Sequence, residues 1–237
     1  RARGGPHRLS QLRAAQAPRR PLDRSRYRTL RPDASAASPT SCPQKIALRG
    51  PRTCHSPVTY FREKKPAWHP LICALFFTGA RPSELAALRL GDVDLERGMI
   101  SITKSRDEHA EAAPKTEQSR REIPLLPNLL AVLREVQHPP DAGPDTYFFR
   151  NPAGGPVTTT WWPKKSWFPV LKKVGIRRRK FYATRHTFVS WALTQGMNLK
   201  AIAEYVGTSV TMIENSYGRF VSDRGLAPLM RAVDSVP

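Results

Sequence analysis

From about Pro66 onward, the order of apolar and polar positions predicts a chain of short helices interrupted by one small sheet. AWHPLICALFFTGARPSELAALRL holds an apolar run that stops at Thr78-Gly79 and restarts near Arg81-Pro82, which predicts two helices with a break between them. Asp92 to Leu95 has turn composition, MISITKS alternates weakly like a strand, and REIPLL follows as a second short strand after a loop holding Pro114 and Lys115. PNLLAVLREV places Leu129, Leu130, Leu133 and Val136 on one helical face, and another helix is expected around Lys164 to Val174. The remainder predicts helices over FYATRHTFVSWALTQG, ending at Gly196, and NLKAIAEYVG, ending at Gly207. A third, over TSVTMIENSYGRF, has Thr208 or Ser209 placed to cap its start. The expected fold is mainly α with a small antiparallel β-sheet, an α+β domain assigned to residues 61–237.

Residues 1–60 show no sustained helical or strand period and are dominated by Arg, Pro, Ser and Ala. Such a segment buries too little to order itself, so it is expected to be a disordered basic tail. The chain carries a formal net charge of +20, of which +13 lies at or before Lys65. An excess of that size favours a polyanionic partner, either nucleic acid or an anionic membrane surface, and a tail of this kind gathers DNA nonspecifically by releasing counterions. The bland alternative is a solvated tail. No apolar run reaches membrane-spanning length and the N-terminus lacks a signal-peptide core, so the expected location is intracellular: cytoplasmic, with the nucleoid. Cys42, Cys54 and Cys73 have no metal-ligand spacing and are expected to be free thiols.

Four short blocks carry candidate chemistry. In TGARPSEL, Arg81 follows a Gly-containing break at the first turn of a helix, where a planar guanidinium can grip a phosphate; taken alone it is a surface ion-pair residue, with Glu84 as partner or cap. In PKTEQSRREIPL, Lys115 lies in a loop leading into a strand and could protonate a leaving oxygen, with Lys104 as the competing candidate. In YATRHTF, Tyr182 and Arg185 are three apart and share a face, whereas His186 is expected to point elsewhere. In VGTSVTMIENSYGRF, Tyr217 lies nine residues after Thr208; a lone Tyr near a helix end is ordinarily core or surface.

Taken in order, these blocks resemble the signature of the tyrosine recombinase (phage integrase) family, over roughly residues 66 to 222. TGARPSEL resembles the family's first arginine box, PKTEQSRREIPL its hairpin-lysine segment and YATRHTF its second box. The resemblance implies a fold like the catalytic domain of DNA breaking-rejoining enzymes, with Arg81 and Arg185 as the catalytic arginines, Lys115 as general acid and His186 as base or orienter. Tyr217 would be the nucleophile. Two positions depart from the pattern: Tyr182 stands where the second box usually has His, and Thr208 where His or Trp is usual. Either hydroxyl can still hydrogen-bond a phosphate.

That family's chemistry is site-specific recombination or integration of double-stranded DNA through a 3′-phosphotyrosyl intermediate, which requires neither a metal nor another cofactor. It also implies a synaptic multimer on DNA. Lys172, Lys173, Arg177, Arg178, Arg179 and Lys180, just before the second box, are the candidate phosphate-gripping stripe, against a solvated loop as the alternative. Besides a type IB topoisomerase, which shares the chemistry, and a basic ribosome- or RNA-associated protein, two rival functions remain at this point. One is a truncated, inactive integrase remnant. The other is a noncatalytic helix-turn-helix DNA reader, since LKAIAEYVGTSVTMIENSY has Ala203, Gly207 and Ile213 at small-residue, turn and core positions.

Overall fold

The computed structural model describes residues 56–108, 110–112 and 119–218. The expected basic tail and Lys115 therefore lie outside the described residues, except for the last five positions of the former. Those five belong to an ordered element. Ser56 caps helix α1 (Pro57–Lys64), its hydroxyl accepting from the Thr59 amide at 3.4 Å, and Phe61 is fully buried. The fold thus reaches back beyond Pro66, and the expected boundary at residue 61 falls within a helix. The cause is a tertiary aromatic cluster. Phe61 stacks on Trp162, which also meets Trp68 and Phe181, while Trp167 meets Phe76 and Phe181. One apolar turn in a polar stretch suffices when such a surface is waiting for it.

Helix α2 (His69–Thr78) is the centre of the molecule. Leu71 through Phe76 are all buried, so the helix is apolar all round and is packed by α1, α4 and α6 on different sides. It stops because Gly79 adopts a left-handed conformation (φ 60°), with the Thr78 hydroxyl donating back to the Ala74 carbonyl at 2.6 Å and accepting from the Ala80 amide. Gly79 is also a close-approach position. A Cβ there would lie 2.5 Å from the Phe188 ring. Gly79→Ala is therefore expected to destabilise by about 2–4 kcal/mol, combining the left-handed penalty with an overpacked ring, as measured by chemical denaturation.

Helix α3 (Pro82–Ala86) follows at once and is shorter than its sequence pattern suggested, ending where Leu88 and Arg89 turn toward the sheet. Val93–Asp94, expected as turn, forms strand β1 against β2 (Met99–Ile102), which pairs with β5 (Arg121–Pro124). The result is a three-stranded antiparallel sheet in the order β1-β2-β5. Ile100, Ile102 and Ile123 bury its inner face, with Ile100 opposite Ile123. A second, two-stranded ribbon pairs β3 (Ser105–Arg106) with β4 (Glu111–Ala112). Glu111 anchors that ribbon by accepting from Arg89 Nη2 at 2.9 Å and from the Tyr147 hydroxyl.

The expected later helices all form: α4 (Pro127–Arg134), α5 (Phe168–Lys173) continuing a π-helical turn at Pro163–Trp167, α6 (Ala183–Thr194), α7 (Leu199–Val206) and α8 (Val210–Tyr217). Gly207, at φ 69°, closes α7, and the Ser209 hydroxyl caps α8 by accepting from the Met212 amide. Ser209 rather than Thr208 is thus the cap. The mainly helical fold with a small antiparallel sheet agrees with the sequence expectation. Among the described residues, no helix is long and apolar enough to cross a membrane.

Candidate active site

The site is assembled where four segments meet: the α2–α3 break, strand β5, the start of α6 and the α7–α8 turn. Arg81 enters from the break. Its backbone amide donates to Glu84 Oε2 at 2.8 Å, its Nη1 to Glu84 Oε1 at 2.7 Å and its Nη2 to the Gly207 carbonyl at 3.0 Å. Its side chain remains 31% exposed, so it can still meet a ligand. Because α3 is only five residues long, its dipole adds little to the charge of Arg81.

Glu84 is the buried hub of this corner, with its side chain 2% exposed. Burial alone would raise its carboxyl, but the hydrogen bonds and charge of Arg121, then of Arg81, outweigh that and hold it below the ordinary carboxylate range. Arg121 donates Nη2 to Oε2 at 2.9 Å and Nη1 to Oε1 at 3.2 Å. All four lone-pair directions of the carboxylate are therefore occupied, two by each arginine.

Arg185 lies at the bottom of the site and is 4% exposed. Its Nη1 donates to the Gly79 carbonyl at 2.9 Å and to the Val206 carbonyl at 2.5 Å, bridging the α2 break and the end of α7. Burial pulls its pKa down to about 10, so the guanidinium stays protonated at neutral pH. Arg81, Glu84 and Arg121 all act on it electrostatically, which places the four charged groups in one cluster.

Tyr217, at the end of α8, is 8% exposed and meets His186 across the site, with the hydroxyl 2.5 Å from Nδ1. Burial, followed by the charge of Arg185, lowers the pKa of His186, so the imidazole is neutral at pH 7. With its proton on Nε2, Nδ1 accepts from the phenol. Burial pushes Tyr217 up to about 12, opposed by the nearby Arg185 charge. A buried, protonated phenol facing a neutral imidazole is a hydrogen-bonded donor–acceptor pair, with transfer uphill in the unliganded site because burial raises the one and lowers the other.

Here the structure corrects the sequence reading. His186 does not point away from the site; it is the residue that touches Tyr217. Tyr182 and His186 are the pair sharing a face, four residues apart with their rings edge-on at 5.3 Å, while Arg185 turns inward to its carbonyl socket. Thr208 sits at the α7–α8 turn beside Gly207, its amide bonded to the Ala203 carbonyl at 2.9 Å. Lys104 forms an ion pair with Asp92 at 3.6 Å. Two residues that the sequence reading did not place in the site are prominent in it: Glu84 as more than a partner to Arg81, and Arg121. Glu84 could have been found from its spacing to Arg81. Arg121 had no local signal, because its contacts with Glu84 and Tyr205 span 37 and 84 residues.

The six stripe residues are all exposed, as either a phosphate-gripping stripe or a solvated loop would be. Lys172 and Lys173 end α5, and the loop from Gly175 to Lys180 runs into α6. The Trp167 indole, donating to the Arg179 carbonyl at 2.9 Å, tacks that loop down. The Arg178 guanidinium lies over the Phe168 ring at 4.3 Å. Lys164, Phe168, Lys172, Ile176, Arg177 and Arg178 line an open groove of about 830 Å³.

A helical domain with a small antiparallel sheet, whose α2 break, second-box helix and terminal tyrosine helix converge on two arginines, a histidine and a tyrosine, has the form of an integrase catalytic domain. The Phage integrase family model matches residues 59–220, and the chain belongs to that family. A solved integrase of the Tn1549 transposon, in complex with circular intermediate DNA, has the same fold at a TM-score of 0.63, with 22% identity over 78% of this chain and 67% of its own. Prophage integrase IntR of Escherichia coli (strain K12) is 30% identical over 171 residues, covering 62% of this chain and 42% of that protein. The putative defective protein IntQ of the same strain is 28% identical over 183 residues, covering 66% of this chain and 46% of that protein. The chain thus spans less than half the length of the curated relatives it matches.

Proposed function

We propose that this chain carries the strand-cleaving site of a site-specific DNA recombinase, with Tyr217 as its nucleophile. The observation that carries the reading is the Tyr217–His186 hydrogen bond beside the Arg81–Arg185 pair. In the proposed step, the Tyr217 oxygen attacks a phosphodiester phosphorus as its proton passes to His186 Nδ1. The new bond joins Tyr217 to a 3′-phosphate; the bond to the 5′ oxygen breaks, and Lys115 supplies the proton that makes the leaving group a 5′-hydroxyl. Arg81 and Arg185 neutralise the charge on the non-bridging oxygens, which at a buried site is a large fraction of the barrier reduction. In this reading the Tyr182 and Thr208 hydroxyls hydrogen-bond the non-bridging oxygens in place of the imidazole or indole usual at those positions. Because a phosphodiester is exchanged for another, the reverse attack by a 5′-hydroxyl rejoins the strand without ATP, a metal or another cofactor.

Double-stranded DNA is the substrate in this reading, acted on in the cytoplasm at the nucleoid and held by a multimer that aligns two duplexes. The exposed groove supports a phosphate-backbone contact, since Lys164, Lys172, Arg177 and Arg178 are four of its eight lining residues, while Lys173, Arg179 and Lys180 stand exposed beside it on the segment that leads to Arg185. Arg177→Ala with Arg178→Ala is expected to weaken binding to all sequences alike and to reduce the slope of log affinity against log salt by about 0.9 per lost phosphate contact. An unchanged slope in a salt titration would refute the assignment.

The direct test is to incubate the protein with nicked duplex DNA, whose cleaved end diffuses away, and to denature with SDS. A slow-migrating covalent adduct is expected, with the nucleotide mapped by mass spectrometry to the Tyr217 peptide through a 3′ linkage. Salt-sensitive DNA binding without any adduct would instead indicate an inactive remnant or a noncatalytic reader.

A further inference from the structure

Three arginines each donate to one of three successive carbonyls where α7 ends. Arg121 Nε donates to Tyr205 O at 2.8 Å, Arg185 Nη1 to Val206 O and Arg81 Nη2 to Gly207 O. The negative end of the helix is the common ligand. Two of the three are the arginines proposed to bind the phosphate. The third, Arg121, comes from strand β5, and its Nε, Nη1 and Nη2 all donate to acceptors within the protein, so it is committed beneath the site rather than open to a DNA ligand.

Arg121 also makes a set of contacts that nothing else in the site duplicates. Its Nη1 donates to the Ser119 carbonyl at 3.0 Å, and its two Nη atoms grip the Glu84 carboxylate that also holds Arg81. Its guanidinium lies close against Gly207, where an added Cβ would come within 2.6 Å of Nη1. A single side chain therefore joins strand β5, the Arg81–Glu84 pair and the α7–α8 turn. From that turn the chain runs through Thr208 directly into the helix that ends at Tyr217.

We propose that Arg121 is the positioning residue of the cleavage site: it fixes the α7–α8 turn against the Arg81–Glu84 pair, so that Tyr217 meets His186 in register with Arg81 and Arg185. The proposal rests on the strand-cleavage reading above for its consequence in catalysis, and on the geometry alone for its effect on Tyr217. It acts through other residues and does not touch DNA. Removing its fork loosens the turn, leaving the Tyr205 hydroxyl, which donates to the Pro124 carbonyl at 3.1 Å, to tie α7 to strand β5; a displacement of about 1 Å at the nucleophile is enough to slow chemistry roughly 100-fold.

The test uses the full chain as Arg121→Met, which keeps the stem and loses the fork, and as Arg121→Lys, which keeps the charge. A core variant, Ile100→Val, controls for general loss of stability, Ile100 being fully buried in the sheet and paired with Ile123 rather than with Arg121. At saturating nicked DNA, adduct formation by Arg121→Met is expected to fall by about 100-fold, while the DNA concentration giving half-saturation is unchanged. Arg121→Lys should recover part of the rate, and Ile100→Val should keep it. A wild-type rate in Arg121→Met would overturn the proposal, as would a deficit no larger than that of Ile100→Val. A second readout is independent of catalysis. The His186 ring resonances, followed by NMR, are expected to change in Arg121→Met toward those of Tyr217→Phe, because the Tyr217 hydrogen bond is lost in both. If wild type forms no adduct, the cleavage reading fails and this readout decides by itself: His186 resonances in Arg121→Met identical to wild type overturn the positioning role. Should Arg121→Met not fold, the same comparison is made on Arg121→Lys.

Discussion

Tyr217→Phe is expected to eliminate the covalent protein–DNA adduct entirely while leaving DNA affinity and the folded state in place. The substitution removes only the hydroxyl that attacks. The ring keeps its place at the end of α8, and the single hydrogen bond lost to His186 is worth about 1 kcal/mol. A melting temperature near wild type, with the adduct band gone, is the expected combination. A persistent adduct, mapped to Tyr182 or another residue, would refute Tyr217 as nucleophile. The same pair sets the pH dependence. His186 must be neutral to take the phenol proton, and burial together with Arg185 lowers its pKa from 6.5. Adduct formation should therefore be constant at neutral and mildly alkaline pH and fall only below pH 6.5, as His186 becomes protonated. A profile without any fall on the acid side would exclude His186 as the base.

The second large effect is expected from Arg185→Ala, which should reduce both catalysis and stability. Loss of a fixed cation beside the reacting phosphate is expected to slow adduct formation by about 10³-fold. The Gly79 and Val206 carbonyls lose their shared donor at the same time. Leaving buried carbonyls unpaired costs about 1–3 kcal/mol each, so a loss of several kcal/mol in denaturant titrations is expected, softened by relief of the buried charge. Arg185→Lys should retain the charge but not the reach to both carbonyls, giving an intermediate rate and stability. An Arg185→Ala protein as stable as wild type would show that the carbonyl bridge does not hold the α2 break to the end of α7.

Much of this domain was legible in one dimension. The break between α2 and α3 followed from Thr78-Gly79 and Arg81-Pro82, and the ends of α6 and α7 from Gly196 and Gly207, because glycine relieves the left-handed conformation that other residues resist. The order of the four motif blocks was enough to bring out the family resemblance that the family model bears out. The elements that were missed are those whose stability is not local. Helix α1 exists because Phe61 reaches Trp162, a hundred residues away, and strand β1 because Val93 pairs with Ile100. Neither segment has enough period of its own to predict it.

The candidate site divides along the same line. The residue types and their order along the chain, Arg81 first and Tyr217 last, are properties of the sequence, since each motif is defined within a few residues. Which groups meet is a property of the tertiary structure. Helical spacing alone put Arg185 with Tyr182 and turned His186 away; the α7–α8 turn brought Tyr217 to His186 instead, and the carbonyls of Gly79 and Val206 drew Arg185 inward. Arg121 shows the difference most clearly. In sequence it is one more cation in a strongly basic chain, whereas in the fold it is buried beneath the catalytic corner. Short-range propensity determines the element a residue belongs to, but a buried charge must find its partners wherever the chain can supply them, and here they lie on segments 37 and 84 residues away.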